Sequence, residues 1–158
     1  MLEKEISAII KASEKGHHAI QVMRCENIVA TGVPDLYICD AGLSYWLEIK
    51  APKPHARHAT PFFGGSHPIG PAQFAWHRAH ALAGGLSFIL ASNGRETILL
   101  NGAEISSVIL DLPFAALKKD PALTLFSCNA PFDKEIWELV KTLVRTHAIN
   151  GGYHASYK

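Results

Sequence analysis

The spacing of hydrophobic and polar residues near the start of the chain predicts a helix and then a strand. Four apolar residues repeat at helical spacing: Leu2, Ile6, Ile9 and Ile10. Together with Gly16, which follows them, they predict an amphipathic helix over residues 2–15. Residues 17–25 are predicted to form a strand, because apolar residues recur there without a helical period.

A β-hairpin is predicted in the next part of the chain. Residues 36–40 and 43–50 are rich in apolar and aromatic side chains, and they flank a turn at Ala41-Gly42. A proline-rich loop over 52–71 follows, with a glycine pair that makes it a candidate mobile or substrate-facing loop. A helix is predicted to start after the last of these prolines, over residues 72–83.

The remaining pattern completes an α/β arrangement. Residues 86–91 and 97–101 are predicted as buried strands, and residues 132–145 as an amphipathic helix. The apolar residues expected on its buried side are Ile136, Leu139, Val140 and Leu143. The pattern over 102–130 predicts no element. The order of elements favours the α/β class, with a mixed central β-sheet flanked by helices.

The length and composition narrow the class of protein. A chain of 158 residues predicts one domain over 1–158, with a core over 1–101 and a less defined extension over 102–158. The content of 48% hydrophobic and 18% charged residues excludes a disordered chain. No apolar run approaches the roughly 18 residues of a membrane span, and charged residues near the start argue against a signal peptide. Three cysteines without CxxC spacing are typical of a reduced, cytoplasmic protein.

The charges are balanced overall but unevenly distributed. Fifteen Lys and Arg residues against fourteen Asp and Glu give a net charge of +1. Between Glu48 and Glu96, however, there is no acidic residue. This stretch contains Lys50, Lys53, Arg57, Arg78 and Arg95 together with five histidines. It either faces a polyanion or forms a solvated loop whose charges are balanced elsewhere in the fold.

The candidate chemistry lies on the predicted hairpin. Alternate residues of a strand share a face, so Glu48 and Lys50 are expected to point the same way. Pairing residues whose numbers sum to about 83 places Asp35 opposite Glu48. Two carboxylates and an ammonium group are therefore predicted to project together from largely apolar strands.

Two neighbouring carboxylates repel each other, and burial makes this worse. A divalent cation relieves the repulsion, since carboxylate oxygens suit Mg²⁺ or Mn²⁺. Such a metal binds a phosphate oxygen and activates water, and a nearby lysine stabilises the charge that develops. The alternative is an ordinary surface ion pair, which contributes little. The histidines suggest zinc, but without a neighbouring cysteine magnesium is favoured.

These residues resemble the PD-(D/E)xK nuclease superfamily. The similar segments are Gly32-Val33-Pro34-Asp35, Trp46-Leu47-Glu48-Ile49-Lys50 and Gly70-Pro71-Ala72-Gln73, followed by Gly84-Gly85 and a strand. They look most like the VRR-NUC branch and like archaeal or phage Holliday junction resolvases. The resemblance spans residues 3 to about 92 and implies a restriction-endonuclease-like core.

The resemblance also implies roles for individual residues. Asp35, Glu48 and the backbone carbonyl of Ile49 would be metal ligands, and Lys50 would act on the attacking water and the scissile phosphate. Gln73 would help to position the lysine, the water or the backbone. A glutamate of the first helix commonly completes the metal site. Glu5 is the choice made here, although helical phase does not separate it from Glu3.

The expected activity is Mg²⁺-dependent hydrolysis of DNA by an endonuclease, in DNA recombination or repair, with Mn²⁺ as a substitute. The candidate DNA contacts are Lys53, Arg57, His77 and Arg24, although Arg24 is equally suited to an ion pair with Glu26 or Asp40. The resemblance further implies a homodimer, in the cytoplasm of a bacterial, archaeal or phage-infected cell. Three alternatives remain: a nuclease of another specificity (nicking, flap, restriction-type or RNA), a non-catalytic DNA-binding module, and a small-molecule or protein-binding domain.

Overall fold

The computed structural model describes residues 1–16, 19–25, 30–65 and 68–152. Within these residues, six strands form one sheet: β1 (Ile20–Arg24), β2 (Leu36–Asp40), β3 (Leu43–Lys50), β4 (Ser87–Ser92), β5 (Thr97–Asn101) and β6 (Thr124–Cys128). The α-helices are α1 (Glu3–Ala12), α2 (Pro71–Leu82), α3 (Phe114–Leu117) and α4 (Lys134–His147). A 3₁₀ helix lies at Ser107–Asp111, and a π-helical turn follows α4 at Ala148–Gly152.

The sheet is mixed, as the sequence predicts. The strands lie in chain order, and all neighbours are antiparallel except β3 and β4, which are parallel. The parallel pair is joined by a crossover that contains α2. Helices α1 and α4 pack on one face of the sheet, and α2 contacts the other. The predicted α/β class with a helix-flanked mixed sheet is confirmed.

The hairpin of β2 and β3 has the predicted boundaries and register. Leu36 pairs with Leu47 and Asp40 with Leu43, so paired numbers sum to 83. The turn residues Ala41 and Gly42 both have positive φ, at 50° and 86°. Two positive φ values are characteristic of the tight turn whose twist matches that of the strands. Because this turn fixes the register, it also determines which side chains meet at the open end of the hairpin.

Two apolar clusters fill the two faces of the sheet. The first joins α1 and α4 to the sheet through Ile6, Ile10 and Trp137, which are fully buried. The second packs the loop after β3 and the segment around α3 against β4 and β5, with Phe62 and Phe114 at its centre. Residues after 101 contribute to both clusters, so the C-terminal extension belongs to the same folded body.

The C-terminal part departs from the pattern at two points. The buried side of α4 carries Trp137, Val140 and Val144, whereas Leu139 is 44% exposed. The prediction is confirmed for Val140 and wrong for Leu139, and it missed Trp137, whose indole packs against Phe132. The predicted residues Ile136 and Leu143 are half-buried. In the region 102–130, strand β6 pairs with β5, although the sequence predicts no strand there. Residues 17–18 and 153–158 lie outside the described residues.

One ion pair ties α4 to the hairpin. The Arg145 guanidinium donates to both oxygens of Asp40, at 2.6 and 2.7 Å, and the Asp40 side chain is only 3% exposed. Asp40 is thus paired with Arg145 and not with Arg24, whereas Glu26, the other expected partner of Arg24, lies outside the described residues. A buried carboxylate needs such a partner, since its desolvation is otherwise uncompensated.

Replacing Arg145 with alanine is expected to lower the free energy of unfolding by roughly 2–3 kcal/mol, because it leaves the Asp40 carboxylate buried and unpaired. The figure lies below the roughly 3–5 kcal/mol expected for a fully buried pair, since Arg145 itself is 43% exposed. Urea unfolding measures the loss. In an Asp40→Asn background the same replacement should cost less than about 1 kcal/mol. An equal cost in both backgrounds would rule out the ion pair as the cause.

No helix in the described parts of the chain is long and apolar enough to cross a membrane.

Candidate active site

Asp35 and Glu48 lie at the same end of the hairpin. The register that pairs Leu36 with Leu47 continues outward to place Asp35 opposite Glu48. The carboxylate of Asp35 accepts a hydrogen bond from the backbone N–H of Ile49 through Oδ2, at 2.8 Å. This bond fixes Asp35 beside the end of β3, so the structure brings these two predicted residues together.

Glu48 is almost completely buried, with 2% of its surface exposed. Its Oε1 accepts from Gln73 and pairs with Lys50, whereas its Oε2 is buried without a hydrogen-bond partner among the described residues. Burial and then the charge of Asp35 raise the pKa of Glu48 to about 7, although Lys50 opposes the shift. The ionised carboxylate therefore lacks sufficient positive charge nearby.

Lys50 supplies the nearest positive charge. Its Nζ lies 2.9 Å from Glu48 Oε1, and its side chain is 12% exposed. Lys50 also lines an open cleft of about 460 Å³ together with Lys53 and Phe63. The ammonium group is consequently held by Glu48 on one side and borders a cleft on the other.

Gln73 is oriented by the start of its own helix. Its Oε1 accepts from the backbone N–H of Gly70, at 3.0 Å, which satisfies one of the free donors of the helix N-terminus. Its Nε2 then donates to Glu48 Oε1. With Pro71 at the first helical position, the sequence Gly-Pro-Ala-Gln starts α2 so that the amide faces the carboxylate. The predicted positioning residue thus contacts Glu48.

The turn before Asp35 positions α2. Gly32 has φ +86°, and a Cβ at this position would overlap the backbone carbonyl of Ala72. Only glycine allows both this conformation and this close approach. The Gly-Val-Pro-Asp segment therefore brings the start of α2, and Gln73 with it, against the hairpin.

Replacing Gly32 with alanine is expected to destabilise the protein by roughly 3 kcal/mol. The expected loss combines the strain of positive φ with overlap against Ala72. Gly42→Ala is the matched control, because Gly42 has the same φ of 86° but no atom within 4 Å of the added Cβ. Urea unfolding of both variants should show a cost of about 1 kcal/mol for the control. Equal costs would mean that the contact with α2 is unimportant.

The two glutamates of α1 differ in their surroundings. Glu5 Oε2 accepts from the backbone N–H of Leu2, at 2.6 Å, and so caps its own helix. Glu3 is the α1 glutamate whose charge contributes to the raised pKa of Glu48. The choice of Glu5 as a metal ligand stays a prediction, but the electrostatics favour Glu3.

His77 is not placed to contact DNA. Its ring is fully buried, its Nδ1 lies 2.7 Å from Ser87 Oγ, and burial lowers its pKa to about 4. The buried side of α2 carries His77 and Ala81, whereas Leu82 is 59% exposed. A neutral histidine bonded to serine thus occupies the interior side of α2.

An aromatic cluster next to Glu48 is absent from the sequence prediction. Trp46 packs against Tyr37 at 4.9 Å between ring centroids and against Trp76 at 5.4 Å, and His80 stacks on Trp76 at 4.7 Å. Trp46 and Glu48 share a face of β3, and Gln73 and Trp76 are three residues apart on α2. The alternation of side chains along β3 and the helical spacing along α2 could together have predicted this cluster. The cluster holds α2 against the sheet beside the carboxylates.

The other candidate DNA contacts are dispersed. Lys53 is exposed and lines the cleft beside Lys50. Arg57 is exposed in a second cleft, and Arg24 is exposed at the end of β1. Lys53 therefore shares a cleft with Lys50, whereas Arg57 lines a different cleft and Arg24 lines neither.

The residues at the end of the hairpin fit a divalent cation. The buried, unpartnered Glu48 Oε2 and the neighbouring Asp35 carboxylate are hard oxygen donors in need of positive charge. Within the described residues, no three His, Cys, Asp or Glu side chains are grouped closely enough to hold a metal ion. Mg²⁺ is commonly bound by one or two carboxylates, with water and phosphate oxygens as its other ligands.

Comparisons of the chain with protein-family models and with curated proteins give no match.

Proposed function

We propose that this protein is a metal-dependent endonuclease that hydrolyses phosphodiester bonds in DNA, with a restriction-endonuclease-like core. The observation that carries the proposal is the buried Glu48 carboxylate, with one oxygen held by Lys50 and Gln73 and the other without a partner among the described residues. A structural ion pair has no need for a second carboxylate beside it, whereas the half-buried Asp35 is held next to Glu48 here.

Each side chain has a role that follows from its contacts. Asp35 and Glu48 would hold Mg²⁺ or Mn²⁺, and this ion would supply positive charge for a phosphate oxygen and acidify water. Lys50 has an ammonium group next to the carboxylates and at the edge of the cleft, so it stabilises negative charge that develops on the phosphate. Gln73 fixes the orientation of Glu48. The backbone N–H of Ile49 fixes Asp35.

The proposed substrate is branched DNA, and the proposed assembly is a homodimer. The resemblance to VRR-NUC and Holliday junction resolvases favours branched DNA and a homodimer, since a pair of sites can cut two strands. Sedimentation equilibrium of the purified protein reads the oligomeric state.

A panel of labelled substrates tests the function. Linear, flap and four-way DNA and single-stranded RNA are incubated with the protein in Mg²⁺, in Mn²⁺ and in EDTA. We expect cleavage of DNA in either metal, strongest for the four-way junction, and none in EDTA. Asp35→Asn should be inactive, and a variant of the exposed Asp111, Asp111→Asn, should cleave normally. The absence of DNA cleavage in either metal would overturn the proposal.

A further inference from the structure

A second cleft, of about 390 Å³, lies beside the turn between β4 and β5. Its charged lining residues are Arg57, Arg95, Lys118 and Glu96. Within the described residues the three cations form no ion pair, and the Lys118 ammonium group lies over the ring of Phe114, 5.7 Å from its centroid. Glu96 instead accepts from the side chain of Asn93, at 3.0 Å. The cleft therefore has a positive charge that the protein does not neutralise.

The cleft is built on a fixed base. The loop after β3 is joined to the segment before α3 by a β-bridge between Pro61 and Pro113 and by a hydrogen bond from the Phe62 N–H to the Leu112 carbonyl, at 2.9 Å. Below it the rings of Phe62 and Phe114 pack at 5.3 Å. His55 also lines the cleft, with its Nε2 buried and without a partner among the described residues. The loop is thus held in place and presents polar groups to the cleft.

The cleft and the candidate active site lie at the same end of the sheet, where strands β3 and β4 finish. Strands β3 and β4 are parallel, and Lys50 pairs with Ala91, two residues before Asn93 of the cleft. With a spacing of about 4.8 Å between strands and 3.3 Å per residue, Asn93 lies on the order of 10 Å from Lys50. At about 3.4 Å of helix axis per phosphate on one strand, this span covers roughly three phosphates of a duplex.

We propose that this cleft binds a backbone phosphate of the DNA a few nucleotides from the scissile bond. The unpaired cations match a phosphate in charge, and arginine matches it in geometry. The identification of the ligand as DNA rests on the proposed function. The site is distinct from Lys50 and Lys53. It fixes the position of the DNA strand relative to the metal-binding carboxylates.

The salt dependence of DNA binding tests this site. The pocket variant Arg57→Gln/Arg95→Gln/Lys118→Gln is compared with Lys15→Gln/Lys119→Gln/Lys134→Gln, which removes the same charge from exposed positions outside the cleft. Binding of a labelled duplex is measured in EDTA over a range of NaCl concentrations. The duplex carries no terminal phosphates, so that only its backbone phosphates can bind the cleft. The pocket variant should bind about tenfold more weakly at 0.1 M salt, and its negative slope of log K against log salt should be shallower by about 0.9. The control variant should keep the wild-type slope.

The outcomes separate the site from the function. Equal slopes for the two variants, with wild-type binding intact, would overturn the phosphate site and leave the proposed function standing. A wild-type protein that neither binds nor cleaves DNA would overturn both. Thermal unfolding confirms that each variant is folded, which is expected because all six side chains are exposed.

Discussion

Replacing Lys50 with alanine is expected to reduce the rate of DNA cleavage by at least about 100-fold, with a loss of DNA affinity of about tenfold or less. The ammonium group of Lys50 is 2.9 Å from Glu48 Oε1 and borders the cleft, so its loss removes the positive charge nearest the reacting phosphate. Single-turnover cleavage with protein in excess measures the rate, and fluorescence anisotropy in EDTA measures the affinity.

Lys53→Ala is the matched control for Lys50, because Lys53 lines the same cleft but forms no ion pair with a described carboxylate. We expect it to weaken binding without changing the cleavage rate at saturation. Lys50→Arg keeps the charge but not the geometry of the ammonium group, and it should recover only part of the activity. Cleavage by Lys50→Ala at the wild-type rate would show that Lys50 has no role in the reaction.

Replacing Glu48 with glutamine is expected to stabilise the metal-free protein while it abolishes cleavage. The pKa of Glu48 is raised from 4.5 to about 7 in the folded protein, so the folded state binds its proton more tightly than the unfolded state. The wild type therefore loses stability as the pH rises from about 4.5 to 7, by about 3 kcal/mol at 1.36 kcal/mol per pKa unit. Glutamine cannot ionise and avoids this loss.

The difference in free energy of unfolding between Glu48→Gln and wild type should thus be near zero at pH 4.5 and reach about 3 kcal/mol at pH 8. Urea unfolding in EDTA measures it. The exposed Glu104 provides the control, since Glu104→Gln should shift stability little at either pH. Addition of Mg²⁺ at pH 8 should stabilise the wild type and leave Glu48→Gln unchanged. A variant less stable than wild type at pH 8 would contradict the account of Glu48 as an undercompensated buried charge.

Local patterns in the sequence were sufficient to predict the hairpin. A tight turn at Ala41-Gly42 and alternating apolar residues determine the register, and the register places Asp35 opposite Glu48. The helix that carries Gln73 was predicted to within one residue, since Pro71 marks its start. The chemically interesting part of the site is thus encoded within short segments.

Features that depend on contacts distant in sequence were not predicted. The burial of His77 depends on Ser87 and on the sheet above it, and helical spacing alone does not distinguish an interior histidine from a cleft histidine. The partner of Asp40 lies 105 residues away at Arg145. The distinction between Glu3 and Glu5 is different in kind, because it depends on a local contact, the cap that Glu5 forms with Leu2, which side-chain periodicity does not contain.

The rate of DNA cleavage as a function of metal concentration tests the central claim most directly. End-labelled DNA is cut under single-turnover conditions as Mn²⁺ or Mg²⁺ is added from zero, by the wild type and by Asp35→Asn. We expect the wild-type rate to rise from zero in EDTA to a plateau, and the rate of Asp35→Asn at that metal concentration to be lower by at least about 100-fold. Cleavage in EDTA, or cleavage by Asp35→Asn at the wild-type rate, would contradict a metal site formed by Asp35 and Glu48.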